Sequence, residues 1–389
     1  MAQPVFKEML VLELASVLAG PSVGQFFAEL GATVVKLENA VTGGDVTRNW
    51  KLFGEQGNQG VSAYFSAANW GKRSIGLDIT QPQALEVVHQ LAAKADLVIA
   101  SYKPGDAEKL QVDYRTLTQL NPRLIYGHIT GYGPEDERAG YDAVIQAESG
   151  FMFLNGSTDG PPTKMPVALI DVLAAHQLKE GILTALLQRE RSGKGSYVQV
   201  SLFDAAVSAL ANQGTNYLVA GHNPQRMGSE HPNIVPYGRV YTCKDGLPLV
   251  LAIGDDRQFR RLCQALGDPL LAERPEFATN SARVRYREAV NEQLEKLISQ
   301  HERQRLLAEL HRLHVPAGAV NSVPEVFEQP QARRMLLTQP HGPSGIRQVA
   351  FVMEGTGVDT MTPPPTFGQH QAQILDMLTD PASGPASEH

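Results

Sequence analysis

Short apolar runs alternate with segments of helical periodicity through the first half of the chain, beginning with Met9 to Leu14. Val23, Phe26, Phe27 and Leu30 then recur at helical spacing between Pro21, which suits a first helical turn, and Gly31, which suits a helix end. Ala32 to Glu38 follows as a run rich in β-branched residues, the mark of a strand. The same rhythm predicts strands over 73–79, 96–101 and 124–129, with helices over 82–95 and 114–120 between them. A strand over 166–171 leads into a long, mainly apolar helix over 172–191, and a strand over 196–201 precedes a helix over 202–220. Alternation of this kind specifies a parallel sheet wrapped by helices.

The texture changes at Gly221. Gly221-His222-Asn223-Pro224 ends the helix and opens a loop rich in Gly, Pro, Asn and His that runs to Tyr237. Lys244-Asp245-Gly246 between 239–243 and 248–253 is a hairpin signal. Helices are expected over 255–266, 282–300 and 303–313. The expected organisation is a large domain over 1–220, a smaller α+β domain over 221–330, and a segment over 331–389 that returns to the first. That last segment carries a strand-like stretch over 347–353, a Pro-rich linker over 363–365, a helix over 369–378, and a tail after Asp380 expected to be disordered. There is no internal repeat.

Composition narrows the classes of function. The chain has 389 residues, 42% hydrophobic and 19% charged, enough apolar material for two cores. Its formal net charge of -7 argues against a nucleic-acid partner, whose footprint would be basic. A nucleotide-like ligand is not excluded, since a few placed cations are enough for phosphates. Cys243 and Cys263 are far apart and form no CxxC or Cys/His array, so a disulfide framework or a structural zinc is not expected. The apolar run over 9–19 is interrupted by Glu13 and lacks a basic start and a cleavage site. No stretch reaches the roughly 18 uncharged apolar residues of a membrane span. A soluble, cytoplasmic protein without a resident metal is the expectation.

The first βαβ unit invites a dinucleotide reading, with Glu38 ending the second strand. The turn, however, reads Ala19-Gly20-Pro21-Ser22-Val23-Gly24 and lacks the glycine that lets a pyrophosphate approach. Asp171, at the start of an apolar helix, is a good N-cap residue. It also suits catalysis, because first-turn N–H groups and the helix dipole would keep it ionised. Position alone leaves both open. Lys72, Arg73, Lys103 and Lys109 are candidate phosphate ligands, although such residues are more often solvated surface charges. His128, His311 and His314 read as structural. There is no Gly-x-Ser-x-Gly elbow and no Walker loop.

Several stretches taken together resemble the family III CoA-transferases, the group of formyl-CoA and carnitine CoA-transferases. They are VLAGPSVGQFFAELGATVVKLE (17–38), GGDVTRNW (43–50), GKRSIGLDI (71–79), YKPGDAEKL (102–110), NPRLIYGHITGYG (121–133), AGYDAVIQAESG (139–150), DGPPTK (159–164), the segment 168–206 and HPNIVPYG (231–238). They stand in family order over the first 240 residues. The resemblance implies a Rossmann-like large domain with a parallel sheet, a smaller α+β domain, and an interlocked homodimer. It places the catalytic aspartate at Asp171, as a nucleophile that passes through an aspartyl-CoA thioester. No cofactor would be permanently bound; coenzyme A would be substrate and product, and acyl-CoA and small carboxylic acids the ligands. By the same matching, CoA contacts fall on Val17, Leu18, Ala19, Leu77, Ser101, Tyr102 and Lys109, and Tyr132 stands close to the acyl group.

Departures from the family pattern bear on the substrate. Ser101-Tyr102 replaces a frequent Asn-Phe, and Asn39 stands where a basic residue often follows the strand-ending Glu. A loop that is glycine-rich in formyl-CoA transferase reads Ser229-Glu230-His231-Pro232-Asn233 here, which makes Glu230 and His231 substrate-contact candidates. Succinyl-CoA as donor and a small dicarboxylate as acceptor fit family habit and this polar loop. A sister branch racemises 2-methylacyl-CoA esters with a His where this chain has Tyr141. That branch, and a non-catalytic CoA-binding protein, are the alternatives.

Overall fold

The computed structural model describes residues 4–55, 61–339, 344–353 and 360–379. The tail after Asp380, expected to be disordered, lies outside them. The chain divides into two compact units, one of residues 1–149, 165–215 and 333–389, the other of 150–164 and 216–332. Gly150–Lys164, which sequence places with the large segment, thus packs with the second unit.

The first unit is built on six parallel strands: Leu10–Leu14 (β1), Thr33–Asn39 (β2), Lys72–Leu77 (β3), Leu97–Ala100 (β4), Ile125–Thr130 (β5) and Tyr197–Ser201 (β6). Their order across the sheet is β3-β2-β1-β4-β5-β6, that of doubly wound nucleotide-binding sheets. Register is set by the central pairs, with Leu12 opposite Val35 on one side and Val98 on the other. β1 and β4 are buried at every position, which is why they read as continuous apolar runs rather than alternating ones. The connecting helices are Ala19–Glu29 (α1), Pro82–Lys94 (α2), Tyr114–Leu120 (α3), Asp142–Glu148 (α4) and Leu169–Ser192 (α5). Leu91 of α2, Leu117 of α3 and Ile374 of the helix Gln371–Thr379 share one core with the strands.

Three sequence expectations fail in this unit. Residues 166–168 form no strand, and α5 begins at Leu169. The helix expected over 202–220 is two, Leu202–Ser208 and Ala211–Ala220, broken where Ala211 takes a positive φ of 46°. No strand forms over 347–353; only Gly345–Ile346 pairs, with Leu336–Leu337.

In the second unit the expected hairpin forms between Tyr237–Thr242 and Pro248–Ala252, and Ala317–Ala319 adds a third antiparallel strand. Its core gathers Tyr241, Leu249 and Leu251 from the sheet with Phe259, Leu262 and Leu294 from helices.

Candidate active site

Ligands of doubly wound sheets bind in the crevice beyond the strand C-termini, where strand order reverses, here between β1 and β4. Two cavities open there. One, of about 230 Å³, is lined by the β1–α1 turn from Ser16 to Gly20, by Ser101 to Pro104 after β4, by the segment 138–142, and by Asp171. The other, of about 340 Å³, lies against the ends of β1, β2 and β3 and includes Leu77. Ser16 and Tyr102 line both, so the two adjoin.

Asp171 is the third residue of α5. The residue before the helix, Ala168, has no side chain to cap it. Asp142 of α4 substitutes: its Oδ1 accepts the Ile170 N–H at 2.8 Å, while Oδ2 accepts from Gln146 Nε2 at 2.7 Å. This fixes α5's first turn and brings a second carboxylate into the cavity. The Asp171 side chain is buried, and no hydrogen-bond donor among the described residues meets its carboxylate. Burial first, and the Asp142 charge second, push its carboxyl up to about 7. Of the two readings that the sequence left open, the N-cap fails, and burial opposes the ionisation that the helix dipole was expected to favour. Asp171 lies inside the helix, and desolvation outweighs the dipole.

The other predicted residues divide. Val17, Leu18, Ala19, Ser101 and Tyr102 line the Asp171 cavity, and Leu77 and Tyr102 line its neighbour. Val17 holds a positive φ of 71°, a conformation that costs an L-residue roughly 1–2 kcal/mol. Ser101 Oγ accepts the Ser16 N–H at 3.3 Å, tying the two loops together. The Tyr102 carbonyl is 2.9 Å from His128 Nε2, and burial pushes its phenol up to about 12. His128 is thus structural, supporting the loop between the cavities. Lys109 lines neither cavity; its exposed ammonium pairs with Asp106 at 3.1 Å. Tyr132 lies outside the lining, its ring under the Arg138 guanidinium at 3.8 Å, and Arg138 itself lines the cavity.

Glu230 and His231 belong to the second unit. Glu230 is held by Arg239 at 2.9 Å and Arg287 at 2.8 Å, and His231 Nδ1 accepts the Asn233 N–H at 3.1 Å. Both side chains fix their own loop. Among the candidate phosphate ligands, Lys72 is fully buried against Glu13, Asn69 and the Pro21 carbonyl, so it reaches no phosphate. Lys103 lines the Asp171 cavity. Sequence reasoning did not single out Asp142, Arg138 or Asp45. Asp45 and Asp142 stand within motifs that carry the resemblance and Arg138 just before one, yet nothing local marks them as part of a site.

The described residues hold no cluster of His, Cys, Asp and Glu fit for a metal ion, and no helix among them is long and apolar enough to cross a membrane. The family model described as CoA-transferase family III matches residues 6–371. The chain is 40% identical over 388 residues to the succinate–glutarate CoA-transferase of Agrobacterium fabrum, covering 97% of this chain and 96% of that one. It is 33% identical to the succinyl-CoA:glutarate CoA-transferase of Mus musculus, covering 94% and 84%. Among solved structures, a CAIB/BAIF family protein from Brucella suis superposes with a TM-score of 0.84 at 41% identity, covering 97% of this chain and all of that one. The chain belongs to family III of the CoA-transferases.

Proposed function

We propose that the chain moves CoA from succinyl-CoA to a dicarboxylate, glutarate being the first candidate, through covalent catalysis at Asp171. The observation that carries this reading is a buried, unpartnered carboxylate in a cavity that adjoins a larger crevice at the same sheet edge. The larger cavity suits the nucleotide end of CoA, with Leu77 and Tyr102 against it. Val17, Leu18, Ala19 and Ser101 border the thioester end. Lys109 stands beside the crevice-lining Leu110, and its exposed pairing with Asp106 is weak enough to give way to a phosphate. The named relatives act on succinate and glutarate, and Lys103 in the Asp171 cavity complements a distal carboxylate.

In the reaction, the ionised Asp171 carboxylate attacks the thioester carbonyl and expels CoA thiolate, leaving a mixed anhydride. The thiolate attacks the aspartyl carbonyl and releases the donor acid, leaving aspartyl-CoA. The acceptor carboxylate attacks that thioester, and the returning thiolate then takes the acceptor's carbonyl, regenerating Asp171. One thioester replaces another, so the exchange is close to balanced and covalent catalysis divides it into easier steps. The racemase alternative calls for an imidazole at position 141, and that cavity-lining residue is tyrosine.

We take the unit as Rossmann-like and the assembly as an interlocked homodimer. Solvent-exposed Leu183 and Leu187 on α5 support a partner surface on the first unit, as Leu218 and Val219 do separately on the second. Two free, buried cysteines accord with a cytoplasmic setting.

Incubation with a panel of acyl-CoAs and hydroxylamine, read by intact mass and peptide mapping, tests this directly. A hydroxamate at Asp171 with succinyl-CoA is expected. Monocarboxylates accepting CoA much faster than succinate or glutarate would remove the dicarboxylate assignment. No trapping but α-deuterium uptake would make the protein a racemase. Neither would leave a binding role alone.

A further inference from the structure

Val17 takes the left-handed conformation, which a β-branched residue adopts only when its surroundings impose it. Its N–H is held by the Asp45 carboxylate, at 3.2 Å from Oδ2 and 3.4 Å from Oδ1. Asp45 in turn pairs with Lys36 at 3.0 Å, Lys36 with Glu13 at 3.0 Å, and Glu13 with Lys72 at 2.7 Å. All four side chains are withdrawn from solvent beneath the crevice. The chain is closed at both ends. Lys72 also donates to the Pro21 carbonyl at 2.8 Å, just inside α1, and Lys36 donates to the Ala15 carbonyl at 2.9 Å, at the end of β1. The β1–α1 turn is thus gripped before, within and after its strained residue. A side chain at position 24 would overlap the Glu13 carboxylate, which explains glycine there.

Stability alone does not account for four buried charges. Well-packed apolar residues of similar volume commonly serve a core as well or better. What an ionic chain supplies is direction: the Asp45 carboxylate, itself anchored by the Thr47 N–H at 3.0 Å and hydroxyl at 2.8 Å, accepts the Val17 N–H and fixes a peptide plane that an apolar contact would leave free. The peptide it fixes lines the same cavity as Asp171.

We propose that Asp45, held through Lys36, Glu13 and Lys72, is a positioning residue for CoA transfer. By accepting the Val17 N–H it keeps the β1–α1 turn in the geometry that meets the group reacting at Asp171. This rests on Asp171 being the nucleophile.

The test uses the full-length protein, succinyl-CoA exchange with a dicarboxylate, and hydroxylamine trapping to count competent Asp171. Asp45→Asn should lower kcat per trappable Asp171 by about tenfold to a hundredfold, as a misplaced reacting group does, with a smaller change in KM. Glycine adopts a positive φ without help. Introducing Asp45→Asn into Val17→Gly should therefore cost several-fold less than introducing it into the wild type, a coupling read from the double-mutant cycle. If Asp45→Asn is too unstable to isolate, Asp45→Glu displaces the carboxylate by one methylene and is expected to show the same relief. An unchanged kcat in Asp45→Asn, or an equal loss in both backgrounds, would overturn the proposal. Failure of the wild type to trap at Asp171 would instead remove the reading on which it rests.

Discussion

A carboxyl group pushed up to about 7 is half ionised near neutrality, and only the ionised form attacks a thioester. For Asp171, kcat/KM is expected to rise with pH through about 7 and level above it. The same burial sets a stability signature. In the unfolded chain the group titrates near 3.8. Between there and 7 the unfolded chain sheds its proton while the folded chain keeps it, so raising the pH across that window removes stability. Above 7 the full cost is present, on the order of a few kcal/mol. Asp171→Asn, neutral and nearly isosteric, should abolish exchange and melt higher than wild type at pH 8, with the gain gone at pH 4. Equal melting temperatures at both pH values would mean that Asp171 is solvated. The motif places Asp171, but its charge state could not be read there: desolvation arises from residues that arrive from other strands, and Asp142 lies 29 positions away.

At the scale of elements, α5 shows what local pattern can and cannot specify. Its apolar run is plain in the sequence, yet its start is misread by three residues because the cap comes from outside. Asp142 supplies to Ile170 what Ala168 lacks. The helix also needs a close seat on β5. A Cβ at Gly127 would meet Ile182 Cδ1 at 2.9 Å in a fully buried contact. Gly127→Ala is expected to destabilise the fold by about 1–3 kcal/mol through overpacking. Because α5 carries Asp171, kcat should fall too, measured alongside chemical denaturation. An unchanged midpoint and an unchanged kcat would show that Ile182 yields freely.

For the whole molecule, the proposed homodimer predicts that sedimentation will report two copies of 42.3 kDa at micromolar concentration. A monomer would separate the exposed apolar side chains from assembly. The sequence by itself determined the alternation of strands and helices, the hairpin of the second unit and the family to which the chain belongs. Apolar periodicity and short motifs are local, and a β-branched run such as 32–38 has little choice of structure. Only the tertiary structure decided which charges were surface and which were core. Lys36, Lys72, Glu13 and Asp45 look like ordinary polar punctuation along the chain, and Lys72 even like a phosphate ligand. The sheet brings them together out of water, because parallel pairing sets β1, β2 and β3 side by side across intervening helices and loops. An ion's free energy depends on what surrounds it in space, and neighbours in sequence carry almost none of that information.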